Sequence, residues 1–201
     1  MGEENRGPYR VLSSRGAYEN PWIRVREDRV VRPGGKEGLF GVVEMRAGSS
    51  VLALDARGEV YLVREYKYAV GRDSVELMSG ALEAGETPLA AARRELKEEL
   101  GLEADGWVDL GTVDPFTTVV SSPNHLFLAT GVREGESRPD EGEVLEALKV
   151  PFAEAVAMVM RGEITHAASC VLILKAEKYL RGQGGGPGRS ASCRDVGETG
   201  A

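Results

Sequence analysis

The stretch from Gly80 to Leu102 constrains the fold more than any other part of the chain. It opens as a loop punctuated by Gly80 and Gly85 and turns helical at Thr87–Pro88. Threonine suits the N-cap, and proline suits the first helical position, where a missing N–H costs nothing. Leu89, Ala90, Ala91 and Ala92 are strong helix formers, and Gly101 supplies the stop. Leu89, Ala92, Leu96 and Leu100 recur at helical spacing and predict a buried stripe. Glu95, Glu98 and Glu99 fall at i, i+3 and i+4, which brings their carboxylates to one patch. Like charges at these spacings repel by about 0.2–0.5 kcal/mol per pair, and a face meant only for solubility would alternate signs. An oxygen-only donor set points to Mg²⁺ or Mn²⁺ rather than zinc, and Mg²⁺ is commonly shared with substrate phosphates.

Position by position, the same stretch resembles the signature of the Nudix hydrolases. Gly80, Glu86, Arg94, Glu95, Leu96, Glu98, Glu99, Gly101 and Leu102 fill its fixed positions. The resemblance implies an α+β fold: a Nudix-type α/β/α sandwich with a mixed sheet, preceded by a small N-terminal antiparallel β unit. It implies Glu95, Glu98 and Glu99 as metal ligands, helped by the backbone carbonyl of Ser79, with Mg²⁺ as cofactor and Mn²⁺ as the alternative. Arg94 and Glu86 hold loop and helix in register, and Gly80, Glu86 and Gly101 are structural positions of the signature.

Composition narrows the partners. The formal net charge is -7, which disfavours nucleic acid, since phosphate backbones need a basic surface. A small phosphorylated ligand remains compatible if a cation supplies the positive charge. The two cysteines, Cys170 and Cys193, have neither metal nor disulfide spacing. The N-terminal segment is polar, and the longest apolar run near the end, Val171–Leu174, is too short to span a bilayer. A cytoplasmic protein with no membrane association is the expectation.

Along the chain, residues 1–9 read as a loose start. The alternation in Ile23-Arg24-Val25-Arg26 predicts a strand over Trp22–Val31, Pro33-Gly34-Gly35 a turn, and Leu39–Met45 a second strand. Residues 1–46 are expected to form the N-terminal β unit, 47–181 the hydrolase domain, and 182–201 a disordered tail rich in glycine. The resemblance favours the ADP-ribose pyrophosphatase branch, in which such an N-terminal unit pairs subunits, so a homodimer is expected. Strands are predicted at Ser50–Leu54, Val60–Val63, Val75–Ser79, Trp107–Asp114, Leu126–Ala129 and Leu148–Phe152. Helices are predicted at Pro151–Arg161, with Phe152, Val156 and Val159 or Met160 inward, and at Ala167–Leu180, with Val171, Leu172 and Leu174 as core.

Other candidate site residues come from that branch. Arg64-Glu65-Tyr66-Lys67 stands where it usually reads Gln-Tyr-Arg, so Lys67 and Arg64 are expected near substrate phosphates. Lys67 keeps the charge and loses the bidentate fork. Glu76 matches a position that often faces the site. Phe116-Thr117-Thr118 replaces the usual Ser-Pro-Gly in the loop Asp114–Pro123. The acidic run Pro139–Glu146 matches a mobile loop that contributes a glutamate. Glu143, then Glu141, together with Glu98, are the candidates for general base, and Arg94 supports them. His125 and His166 read as structural. The expected activity is Mg²⁺-dependent cleavage of a nucleoside diphosphate linked to a sugar, with ADP-ribose giving AMP and ribose 5-phosphate. The alternatives are a triphosphate pyrophosphohydrolase, a non-catalytic ligand sensor and an isomerase on the same fold.

Overall fold

The computed structural model describes residues 4–135, 145–183 and 194–195. Two compact units emerge: the described part of Met1–Ala47 with Asp114–Pro123, and Gly48–Val113 with the described part of Asn124–Ala201.

The first unit is a five-stranded sheet in the order β1-β2-β3-β4-β10. Its strands are β1 (Glu4–Arg6), β2 (Tyr9–Glu19), β3 (Ile23–Val31), β4 (Glu37–Met45) and β10 (Val120–Ser121). The first four pair antiparallel, and β10 adds to β4 in parallel. Gly35 takes a positive φ of 79° in the predicted turn, where its N–H bonds back to the Arg32 carbonyl at 2.8 Å. Within the loose start expected for residues 1–9, Glu4–Arg6 instead pairs onto β2, an eleven-residue strand that the sequence pattern does not announce. Most of β2 is exposed, so it carries no period-two apolar signal.

The second unit is built on a mixed sheet of eight described strands. These are β5 (Gly48–Leu54), β6 (Glu59–Lys67), β7 (Arg72–Glu76), β8 (Met78–Ala81), β9 (Leu102–Val113), β11 (Asn124–Glu134), β12 (Glu146–Pro151) and β13 (Arg194–Asp195). β11 runs parallel to β5 and antiparallel to β9. Both faces are covered, and alternation along the strands decides which residue meets which layer. Leu52, Leu126 and Leu128 pack with Ala155 of α2 (Phe152–Met160) and with Ala168, Leu172 and Ala176 of α3 (Ala167–Gln183). Val51, Ala53, Phe127 and Ala129 pack with Ala92 and Leu96 of α1 (Pro88–Leu100). This is the expected α/β/α sandwich.

Two local expectations change, and a third is narrowed to one of its alternatives. Val75–Ser79 is two strands, because the chain leaves β6 and joins β5, with Leu77 between. In α3 the buried position is Ile173, while Leu174 is 39% exposed: the stripe of Ala168, Leu172 and Ala176 takes Ile173 as its neighbour and turns Leu174 outward. In α2, Met160 is exposed and Val159 packs inward. The tail beyond residue 183 lies outside the described residues except for β13, as do Cys193 and residues 136–144 of the acidic loop. Among the described residues no helix is long and apolar enough to cross a membrane.

Candidate active site

Helix α1 forms as its caps dictate. Thr87 sits extended (φ -80°, ψ 153°) and accepts the Ala90 N–H through its side chain, with Pro88 opening the helix. Gly101 closes it in the left-handed region (φ 63°, ψ 29°), where its N–H reaches the Leu96 and Lys97 carbonyls. Ala91, Ala92 and Leu96 are buried, with Leu89 and Leu100 packed beside them. Burying that stripe fixes the rotation of the helix and turns Glu95, Glu98 and Glu99 onto another face.

That face borders a cleft of about 290 Å³, lined by Ser79, Gly80, Ala81, Arg94, Glu95, Glu98 and Glu99. The floor comes from β8, which lies against α1 with almost no slack: a Cβ on Gly80 would stand 2.0 Å from the Glu95 carboxylate carbon. Ser79 is held by its hydroxyl, 2.6 Å from that of Ser50, and Ser50 donates to Asn124 Oδ1 at 2.9 Å. Ser49 and Ser50 are fully buried hydroxyls in an otherwise apolar strand, a sequence signal for this neighbourhood.

Arg94 ties the parts together. Its Nε and Nη2 donate to the two oxygens of Glu86, both at 3.0 Å, the bidentate geometry that favours arginine. Nη2 also donates to the Ala81 carbonyl at 3.1 Å, and Nη1 donates to Glu95 at 2.8 Å and Glu98 at 3.1 Å. Glu86 in turn accepts the Glu83 N–H at 2.9 Å, across a turn in which Gly85 has φ 81°. The Arg94 hydrogen bonds, with the Glu83 N–H, hold Glu86 below the usual carboxylate range. Glu86, against the effect of burial, and then Glu98 and Glu95 push the Arg94 pKa up. One guanidinium therefore binds strand, loop and helix.

The donor set suits a hard cation: beside Arg94, the lining contains carboxylates, a serine and backbone, with no histidine or cysteine. The three carboxylates share one cleft and are not drawn into a preformed cage, since among the described residues no three His, Cys, Asp or Glu side chains gather as an ion-binding group. Mutual repulsion and the pull of Arg94 on Glu95 and Glu98 account for that spacing.

The other sequence-predicted residues lie outside this lining. Lys67 contacts Glu65; burial works against its charge, but Glu65, Glu76 and Glu99 outweigh it and raise the pKa. Its interaction with Glu99 places Lys67 within electrostatic reach of the cleft. Glu76 is 3.4 Å from His166 Nδ1, and Arg64 pairs with Glu146 at 2.8 Å. Burial lowers the His166 pKa, opposed by Glu76 and reinforced by Lys67. His125 Nδ1 meets the Thr112 hydroxyl at 3.1 Å, as a structural histidine would. Glu141 and Glu143 lie outside the described residues.

This helix-and-strand cleft coincides with a recognised domain: residues 44–169 match the NUDIX domain. The chain belongs to the Nudix family. Residues 9–43 match a second family, described as the nucleoside diphosphate sugar hydrolase N-terminal domain, and they fall within the first unit. An ADP-ribose pyrophosphatase of Mycobacterium tuberculosis (strain ATCC 25618 / H37Rv) is 33% identical over 181 residues, 87% of this chain and 86% of that protein. An ADP-ribose pyrophosphatase of Bacillus subtilis (strain 168) is 30% identical, covering 87% of this chain and 96% of its own length. A crystal structure of an ADP compounds hydrolase shares the fold with a TM-score of 0.78 at 21% identity, covering 90% of this chain and 98% of that one. As a Nudix hydrolase, the chain is an enzyme.

Proposed function

We propose that this Nudix enzyme hydrolyses the diphosphate bond of a nucleoside diphosphate linked to a sugar, with ADP-ribose giving AMP and ribose 5-phosphate, at the cleft between β8 and α1. The observation that carries the reading is the cleft itself: Glu95, Glu98 and Glu99 line it opposite Ser79 on a strand packed tightly against Glu95. The N-terminal match and the activity named for the two pyrophosphatases support the substrate class.

Glu95, Glu98 and Glu99, with the Ser79 carbonyl, would hold Mg²⁺, or Mn²⁺ in its place. A divalent ion bound there supplies polarisation of phosphoryl oxygens and a lowered water pKa. Arg94 orients Glu95 and Glu98 through one bond to each. Glu143, then Glu141, takes the proton of the attacking water, with half-exposed Glu98 the candidate among the described residues. Lys67 offsets charge on the substrate diphosphate, Arg64 adds to that field, and Glu76 holds the wall beside His166. The enzyme acts as a homodimer through the first unit, which exposes Trp22 (75%), Tyr18 and Leu39.

The experiment is a panel of nucleotide sugars and nucleoside triphosphates with Mg²⁺, with products separated by chromatography. Two monophosphates from ADP-ribose support the reading, and pyrophosphate from triphosphates alone rejects it. Glu99→Gln should abolish Mg²⁺-dependent turnover; unchanged turnover removes Glu99 from the ligand set. Light scattering of wild type and Trp22→Lys tests the dimer, which is refuted by a monomeric wild type.

A further inference from the structure

Leu77 is the one residue between β7 and β8, where the chain gives up pairing with β6 and takes up pairing with β5. Its side chain is fully buried, and its N–H finds its acceptor outside the sheet, in the hydroxyl of Ser169 at 2.9 Å. Ser169 stands in the first turn of α3, 92 residues away in sequence, and is itself fully buried. Its Oγ lies 2.9 Å from His166 Nδ1, and that ring stands 3.4 Å from Glu76, the last residue of β7. Two residues past Leu77, Ser79 lines the cleft, and at the next residue, Gly80, a Cβ would meet Glu95 at 2.0 Å. The β8 backbone thus runs close beside the Glu95 carboxylate, three residues past the Leu77 crossing.

We infer that Ser169 is a positioning residue for the cleft: by accepting the Leu77 N–H it fixes where β8 begins and, through Ser79 and Gly80, where Glu95 stands. A buried N–H without an acceptor is costly enough to move the backbone in search of one. The inference rests on the cleft being the cation site proposed above.

The test uses the full chain. Mn²⁺ affinity is measured without substrate by paramagnetic titration, and Leu77 amide exchange is followed by NMR in wild type, Ser169→Ala and Ile173→Val. Ile173 is buried in the same helix and has no bond to Leu77, so its variant controls for simple destabilisation. The expected result is at least tenfold faster Leu77 exchange and about tenfold weaker Mn²⁺ binding in Ser169→Ala, in the range seen for residues supporting metal ligands. Ile173→Val leaves both near wild type. Equal Mn²⁺ affinity in Ser169→Ala and wild type overturns the inference, as does equal weakening in both variants. If Ser169→Ala does not fold, the wild type decides: Mg²⁺ should slow Leu77 exchange several-fold more than that of Ile173, and an unaffected Leu77 overturns it. A wild type that binds no Mn²⁺ fails the cation reading instead.

Discussion

Replacing Gly80 with alanine tests the cleft without touching a carboxylate. The added Cβ would stand 2.0 Å from Glu95 Cδ and Oε1 and 2.5 Å from Cγ, where ordinary contact begins at 3.4 Å. Gly80 carries no positive φ, so the whole penalty comes from that overlap. Glu95 is a side chain and can retreat, but the retreat breaks its 2.8 Å bond to Arg94. An off-rotamer glutamate costs about 0.5–1.5 kcal/mol and a charged hydrogen bond about 1.5–3 kcal/mol. The expected loss is about 2–4 kcal/mol, or about 4–15 °C in Tm for a chain of this size. Activity should fall as well, by about 10²–10³ in kcat, as when one preorganised group facing developing charge is removed. The assay is AMP release from ADP-ribose at saturating Mg²⁺, repeated in a Glu95→Ala background. There Gly80→Ala should cost nothing more, because the two substitutions act on one interaction. A Gly80→Ala enzyme with kcat within threefold of wild type refutes the reasoning, as does full additivity with Glu95→Ala.

Arg94→Lys keeps the charge but loses the fork to Glu86 and the reach to Ala81, Glu95 and Glu98; kcat/KM for ADP-ribose should drop about 10–100-fold in a steady-state assay. Asp55 is held at a pKa of about 2 by Lys149, helped by the Glu59 and Arg57 N–H groups. A carboxylate with a depressed folded pKa adds stability above its ordinary 3.8 and loses it as pH falls toward 2, so urea unfolding of Asp55→Asn should show a flatter pH dependence across that window. Thr87→Ala removes the acceptor for the Ala90 N–H and should cost about 1 kcal/mol in urea unfolding at pH 7.

Legibility in the sequence followed locality. Helix α1 was readable to its terminal residues because Thr87, Pro88 and Gly101 act on neighbours within a turn. The strands of the doubly covered sheet were readable as apolar runs, since both faces of Val51–Ala53 and Leu126–Ala129 meet helices. Strand β2 was not, because pairing rather than burial holds it, and pairing leaves no apolar period. The break at Leu77 was hidden for a different reason: it depends on a hydroxyl 92 residues away. At the site, the glutamate face was legible from spacing, but Arg94's hold on Ala81 and the closeness of Gly80 to Glu95 required coordinates.

The glutamate face poses an electrostatic difficulty that Arg94 answers. Three carboxylates within five residues would oppose helix formation, yet α1 runs unbroken from Pro88 to Leu100. The caps and buried stripe favour the helix by themselves, and Arg94 offsets two of the charges. Its Nη1 reaches one oxygen of Glu95 and one of Glu98, so the guanidinium aims those groups. Folding and ion capture are thereby separable. The chain reaches its sandwich through local signals and two apolar layers, and on the proposed reading the cleft then takes a cation together with a phosphate ligand. Substitutions on Arg94 should accordingly injure turnover more than folding, whereas those in the α1 caps should do the reverse.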